Sequence, residues 1–199
     1  MKRYFILLVV LFLYVVASAK VYDFESNDLG WNEISNEKGD VLIKEGVLYI
    51  EGKAKGGQSY FDDFLSSTCY LPIDIKDSFE IKANVLVKKL KDDAGFGVIF
   101  NYRDEHNCEF FCITKKNVSY YRIEKGYLVG YRLDRIKFRE NKNAEVSFLL
   151  KKSFDNVSLI VDDVLVLEIP YVDYRYRGFG FFTKGEQTVS FDNLETIIK

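Results

Sequence analysis

Residues 94–113, AGFGVIFNYRDEHNCEFFCI, decide the fold. Phe96, Val98, Phe100 and Tyr102 alternate with Gly97, Ile99, Asn101 and Arg103, the two-residue period of a strand with one buried face. Asp104, Glu105, His106 and Asn107 are polar turn formers, and Cys108, Phe110 and Cys112 resume an apolar alternation. The stretch reads as a β-hairpin, and the chain on both sides reads the same way. Phe79, Ile81, Ala83, Val85 and Val87 alternate with Glu80, Lys82, Asn84, Leu86 and Lys88, a half-buried strand. Lys44-Glu45-Gly46, Glu124-Lys125-Gly126 and the two-residue Asp162-Asp163 each separate apolar runs and read as tight hairpin turns. Further strands are expected at 21–24, 41–43, 47–50, 69–71, 118–123, 127–133, 136–139, 144–151, 157–161, 178–182 and 189–198, with a long loop at 52–63. About a dozen short strands and no helix predict an all-β, antiparallel β-sandwich.

The N-terminus has a different character. Lys2 and Arg3 precede an unbroken apolar run at 4–16, and Ala17-Ser18-Ala19 is a small-x-small cleavage site, so residues 1–19 read as a signal peptide. The run is shorter than the ~20 apolar residues of a membrane span, which leaves an uncleaved N-terminal anchor as the alternative. No second apolar run follows and there is no linker or repeat. The expectation is one domain over residues 20–199, secreted or periplasmic, with no transmembrane segment in the mature chain. The leader carries two of the 28 basic residues and no acid, leaving 26 against 30 acidic residues. Without a Lys/Arg stripe, that balance argues against nucleic acid as a partner.

Cys108 and Cys112 stand about 13 Å apart along one strand, too far for a bond. Either could pair with Cys69 if the chain is oxidised; the competing reading is three small buried hydrophobes. No CxxC or His/Cys cluster suits zinc. Asp92-Asp93 and Asp162-Asp163 could serve calcium, but turn chemistry accounts for both; Asp62-Asp63 could touch a cation, but two acids in a loop read as solvated, so no cofactor is expected.

The ordered set of strand motifs resembles one known family. VYDFESNDLGW, GFGVIFNYRDEHNCEFFCI, VSYYRIEKGYL, FDNVSLIVDDVLVLEI, and GFGFF with VSFDNLE are similar, in that order, to the strands and hairpins of concanavalin A-like (LamG-like) jelly-roll domains. A weaker similarity runs to exported keto-disaccharide hydrolase-like jelly rolls. The resemblance implies two curved antiparallel sheets with the first and last strands adjacent, and carbohydrate bound or cleaved on the concave face. Retaining glucanases of that superfamily carry a Glu-x-Asp-x-(x)-Glu strand; residues 105–109, EHNCE, have neither the spacing nor the central Asp.

The expected ligand site takes the side chains opposite Phe96, Val98 and Phe100. Asn84, Asn101, Arg103 and Glu109 are the candidate binding residues, and a three-residue turn would set Arg103 opposite Glu109, where the two can pair. Lys82, Leu86, Gly97, Ile99, Phe111 and Ile113 share that face, and the competing reading is an ordinary solvated sheet face. Tyr120, Tyr121, Tyr127, Tyr131, Tyr171, Tyr174 and Tyr176 are secondary candidates, above all the loop 171–177, YVDYRYR. Trp31 is expected to pack and His106 to be an exposed bystander. The function expected is an exported non-catalytic carbohydrate-binding domain for a polysaccharide or oligosaccharide. A glycoside-processing enzyme on the same face and an adhesion module binding envelope proteins are the alternatives.

Overall fold

A computed structural model describes residues 18–53, 63–73, 76–89, 91–135, 144–172 and 176–198. Fifteen strands are found among them: β1 (Ser18–Tyr22), β2 (Ile34–Asn36), β3 (Gly39–Lys44), β4 (Val47–Gly52), β5 (Phe64–Tyr70), β6 (Phe79–Lys89), β7 (Gly95–Asp104), β8 (Asn107–Ile113), β9 (Asn117–Glu124), β10 (Tyr127–Arg135), β11 (Ala144–Ser153), β12 (Asn156–Val161), β13 (Val164–Pro170), β14 (Gly178–Lys184) and β15 (Gln187–Ile198). They form two antiparallel sheets. One runs β13-β12-β11-β6-β15-β4-β3-β2 with β1 beside β15; the other runs β10-β9-β8-β7-β14-β5. This is the expected β-sandwich jelly roll, with the first and last strands paired, Ser18 opposite Ile198 and Tyr22 opposite Leu194. β1 begins at Ser18, just inside the expected leader boundary, because β15 extends to Ile198 and offers it partners.

The three expected tight hairpins form as left-handed turns: Glu45 and Gly46 have φ of 53° and 73°, Lys125 and Gly126 51° and 81°, and Asp162 and Asp163 48° and 62°. Mirror-image turns of this kind match the right-handed twist of the strands they join. The strand expected at 136–139 and most of the loop at 52–63 lie outside the described residues.

Phe96, Val98 and Phe100 do point between the sheets. They join Phe111, Ile113, Phe179, Phe181, Phe148 and Phe191 in one core. Trp31 is 4 % exposed and stacks on Phe181 at 5.5 Å, held by a pair of hydrogen bonds with Asn27: the Trp31 amide donates to Asn27 Oδ1 at 2.6 Å and Asn27 Nδ2 donates back to the Trp31 carbonyl at 3.0 Å. Packing, as expected, is its role.

The opposite face of the six-stranded sheet is not the solvated face the alternation predicts. Ile99, Cys108, Phe110, Cys112, Ile123 and Phe182 are buried there as a second apolar cluster, flanked by Phe64, Tyr102 and Tyr121. Phe64 stacks on Phe182 at 4.2 Å and Phe110 on Tyr121 at 4.9 Å. The cause is visible in residues 108–113, CEFFCI: they are apolar in both phases of the strand, the mark of burial on both sides. All three cysteines are free and buried. Cys69 belongs to the inner core and Cys108 and Cys112 to the outer cluster, so the sheet itself separates them.

Candidate functional site

The β7–β8 hairpin builds a site, though not with the four residues as grouped by the sequence. β6 lies in the nine-stranded sheet and β7 in the other. Asn84 therefore sits beside Ser147 and Asp192 on the far sheet, away from Asn101, Arg103 and Glu109. β6 and β7 thus belong to different sheets, and strand alternation carries no information about that choice.

Register corrects the rest. Phe100 is paired with Glu109, and Asp104 with Asn107, leaving residues 101–103 opposite Cys108 alone. The turn is thus two residues long, with a bulge in β7 before it. Glu109 shares the core-facing side of β8 with Phe111 and Ile113, and these two belong to the core rather than to a wet face. The three-residue turn that would set Arg103 opposite Glu109 does not form, and Phe100 takes that place; Arg103 reaches Asp104 at 3.6 Å and stacks over the Tyr176 ring at 5.6 Å, with Nη1 donating to the Tyr176 hydroxyl at 3.3 Å.

The bulge places Asn101. Its φ of 48° is in the left-handed region, which Asn tolerates better than most residues, and this turns its carboxamide toward Glu109. Asn101 Nδ2 donates to Glu109 Oε1 at 3.0 Å, and the Tyr120 hydroxyl donates to Glu109 Oε2 at 2.5 Å. Glu109 is 1 % exposed, so these charge-assisted bonds replace the water it has lost. Burial first, then the Glu109 charge and the hydrogen bond to it, push the Tyr120 phenol far above its ordinary range. Tyr120 therefore stays protonated and remains a donor. On its other side Asn101 Oδ1 accepts from the Tyr176 amide at 3.2 Å, tying the end of the 171–177 loop to β7.

Around this pair is a pocket of about 380 Å³, lined by Asn101, Asn107, Glu109, Arg122, Lys125 and Tyr176 among others. Arg122 is the cross-strand partner of Glu109 on β9 and forms an ion pair with Glu124. Asn107 is oriented at both ends: Nδ2 donates to Asp104 Oδ1 at 2.8 Å and Oδ1 accepts from the Lys125 amide at 3.1 Å. The Asn107 bond is the main cause that lowers the Asp104 carboxyl below its ordinary range. The hydrogen bond to Tyr176 raises the already high pKa of Arg103. A narrow apolar crevice lined by Ile81, Phe100 and Phe179 shares Asn101 and Tyr176 with the pocket.

Of the residues expected from sequence, Asn101, Glu109, Tyr120 and Tyr176 meet here, with Arg103 at the rim through Tyr176. Tyr171 instead packs under Lys152, whose Nζ lies 4.4 Å from the ring centroid. Tyr174 lies outside the described residues. His106 is exposed, its carbonyl accepting from Gly126 at 2.9 Å. Asn107, Arg122 and Lys125 were not foreseen. Counting register through the 114–117 turn would have placed Arg122 opposite Glu109. Among the described residues no cluster of three His, Cys, Asp or Glu side chains could hold a metal.

No family model and no curated protein sequence matches the chain. Many solved structures share the fold. The carbohydrate-binding module CBM66 from Bacillus subtilis is 15 % identical, with a TM-score of 0.55 over 83 % of this chain and 94 % of that one. A protein of unknown function with a galectin-like fold, also from Bacillus subtilis, is 10 % identical, with a TM-score of 0.59 over 90 % and 96 %. The Crh5 transglycosylase is 12 % identical, with a TM-score of 0.58 over 92 % and 84 %. At these identities the likeness is one of fold.

Proposed function

We propose that the chain is an exported, non-catalytic carbohydrate-binding domain, and that the pocket around Glu109 is its ligand site. One observation carries the reading: a buried carboxylate, fixed by Asn101 and Tyr120, forms the wall of a pocket whose other polar lining is Asn107, Arg122, Glu124, Lys125 and Tyr176, beside the apolar Ile123 and Val172. Planar donors and acceptors held by their own hydrogen bonds suit the paired hydroxyls of a sugar, and the Tyr176 ring supplies an apolar surface. Glu109 and Glu124 balance Arg122 and Lys125, which favours neutral sugars over acidic ones. The solved carbohydrate-binding modules of this fold support the class of ligand. Export rests on the leader at 1–19; among the described residues no helix is long and apolar enough to cross a membrane.

The carboxylates give the pocket little capacity for glycoside hydrolysis. Glu124 is engaged by Arg122 on the surface, and Glu109 is committed to two donors. The transglycosylase neighbour keeps an enzymatic reading worth testing in the same experiment. Titration of the chain with an oligosaccharide panel, read by calorimetry, is expected to find a neutral-sugar ligand. Asn101→Ala with Arg103→Ala is expected to weaken it about tenfold or more, the equivalent of one hydrogen bond to a charged group. Absence of any sugar affinity, or unchanged affinity in the double variant, overturns the reading. Release of reducing sugar that disappears in Glu109→Gln replaces it with the enzymatic one.

A further inference from the structure

Five of the large apolar side chains exposed among the described residues lie on one strand. β10 closes the six-stranded sheet, paired with β9 on one side and with no described strand on the other. Tyr127, Leu128, Val129, Tyr131 and Leu133 along it are 47–74 % exposed, and they lie on both of its faces. An apolar edge is a template for another strand, and folded chains blunt it with Pro, charges, a bulge or a cover. β10 has no Pro, and its register irregularity, between Leu128 and Gly130, leaves the stretch from Tyr131 to Arg135 in regular pairing with β9. Its charges, Arg132, Asp134 and Arg135, are spaced in a way that selects a particular partner.

The partner is a second copy of this chain. Under a two-fold axis that sets Leu133 opposite itself, antiparallel pairing brings Arg132 of each copy against Asp134 of the other. Tyr131 then faces Arg135, again twice. Opposite charges directly across a strand pair stabilise it, and like charges destabilise it. The neighbouring registers are worse. An axis on Arg132 opposes two guanidinium groups, an axis on Asp134 opposes two carboxylates, and an axis on Tyr131 sets Asp134 against Leu128. Within one copy Arg132 Nη2 lies 3.3 Å from Asp134, while Nη1 donates to the Glu168 carbonyl at 2.7 Å, so the guanidinium is positioned beside the carboxylate on the same face of the strand. We propose that the chain forms a two-fold dimer through β10, fusing two six-stranded sheets into one of twelve strands.

A strand-to-strand contact is smaller than a standard interface, so the dissociation constant belongs in the micromolar range, about 10 μM. Sedimentation equilibrium of the full chain over about 1–200 μM reads it directly. Wild type is expected to pass from monomer to dimer. Arg132→Asp at an exposed position and Asp134→Arg at a half-buried one are each expected to weaken association tenfold or more. Combining them in one chain is expected to restore it, and an equimolar mixture of the two single variants is expected to form a heterodimer. Because every variant carries the same N-terminus, association through the leader would be unchanged across the series and would overturn the proposal. So would a wild type that stays monomeric throughout, a dimer that needs added oligosaccharide, or a double variant that fails to recover while its circular dichroism and melting match wild type.

Discussion

Tyr120→Phe isolates the hydrogen bond that holds Glu109. It removes the hydroxyl that donates to Glu109 Oε2 at 2.5 Å and leaves the ring against Phe111, with centroids 5.6 Å apart. Asn101 still donates to the other oxygen. A hydrogen bond to a charged group contributes ~1.5–3 kcal/mol, and a buried acceptor that loses its donor bears the loss without help from water. The expected cost at pH 7 is about 2 kcal/mol, a fall in Tm of about 4–8 °C for a chain of this size. The pH dependence then separates this bond from simple loss of packing. Burial and Glu109 raise the Tyr120 pKa in the folded state. Stability from such a group is complete below the unfolded pKa of about 10 and is lost as pH rises, because the unfolded chain releases a proton that the folded chain retains. Wild type therefore loses ~1.4 kcal/mol relative to Tyr120→Phe by about pH 11, and a penalty of about 2 kcal/mol shrinks to about 0.6. Burial also raises Tyr49 and Tyr102, but both are present in each chain and cancel in the difference. Urea unfolding of both proteins between about pH 7 and pH 11 measures the gap. A gap that stays constant with pH, or no cost at neutral pH, refutes the buried Tyr120–Glu109 pair.

Gly97→Ala should cost at least about 3 kcal/mol in urea unfolding, because a Cβ there would overlap the Phe111 carbonyl oxygen across the β7–β8 ladder and press on the Phe182 ring. Trp31→Ala should cost about 3–5 kcal/mol, and emission from this single tryptophan should be blue-shifted and resistant to acrylamide until the chain unfolds. Burial pushes the Cys108 thiol up to about 12 and raises Cys69 as well, so native protein at about pH 8 should react slowly with a thiol reagent while unfolded protein exposes three thiols. A reductant should leave the unfolding midpoint unchanged; a midpoint that falls would reveal a disulfide.

The fold was legible because its signals are local. Glu45-Gly46, Lys125-Gly126 and Asp162-Asp163 carry their turn geometry in residues that accept positive φ, and the Phe96, Val98, Phe100 phase marks the inner face of β7. The site was legible only in part because it depends on register and on sheet assignment. Nothing in the 79–87 alternation says that β6 belongs to the other sheet, so Asn84 was drawn to a face it does not share. Residues 101–103 stand against one residue, and alternation counted straight through them cannot give the turn length or the true partner of Glu109. Phe111 and Ile113 were expected on the ligand face because only the Cys108, Phe110, Cys112 phase of CEFFCI was counted as apolar; reading both phases shows a strand buried on both sides.

That misplaced carboxylate is the strongest pointer to a function at this end of the sandwich. Folding alone gives no reason to set Glu109 on the core-facing side of a strand between Phe100 and Phe111. A buried charge gains little over a well-packed apolar side chain even when it is paired. Nor does folding need the left-handed backbone at Asn101, which costs strain that a regular ladder avoids. The strained residue nevertheless supplies one donor to the carboxylate and Tyr120 supplies the second, and the same Asn101 receives the amide of Tyr176 from a loop outside the sheet. Three departures from the simplest β-sandwich thus converge on one wall of one pocket. Local rules broken together, with each break compensated by the others, are the ground on which the ligand site is proposed here and not elsewhere on the sandwich.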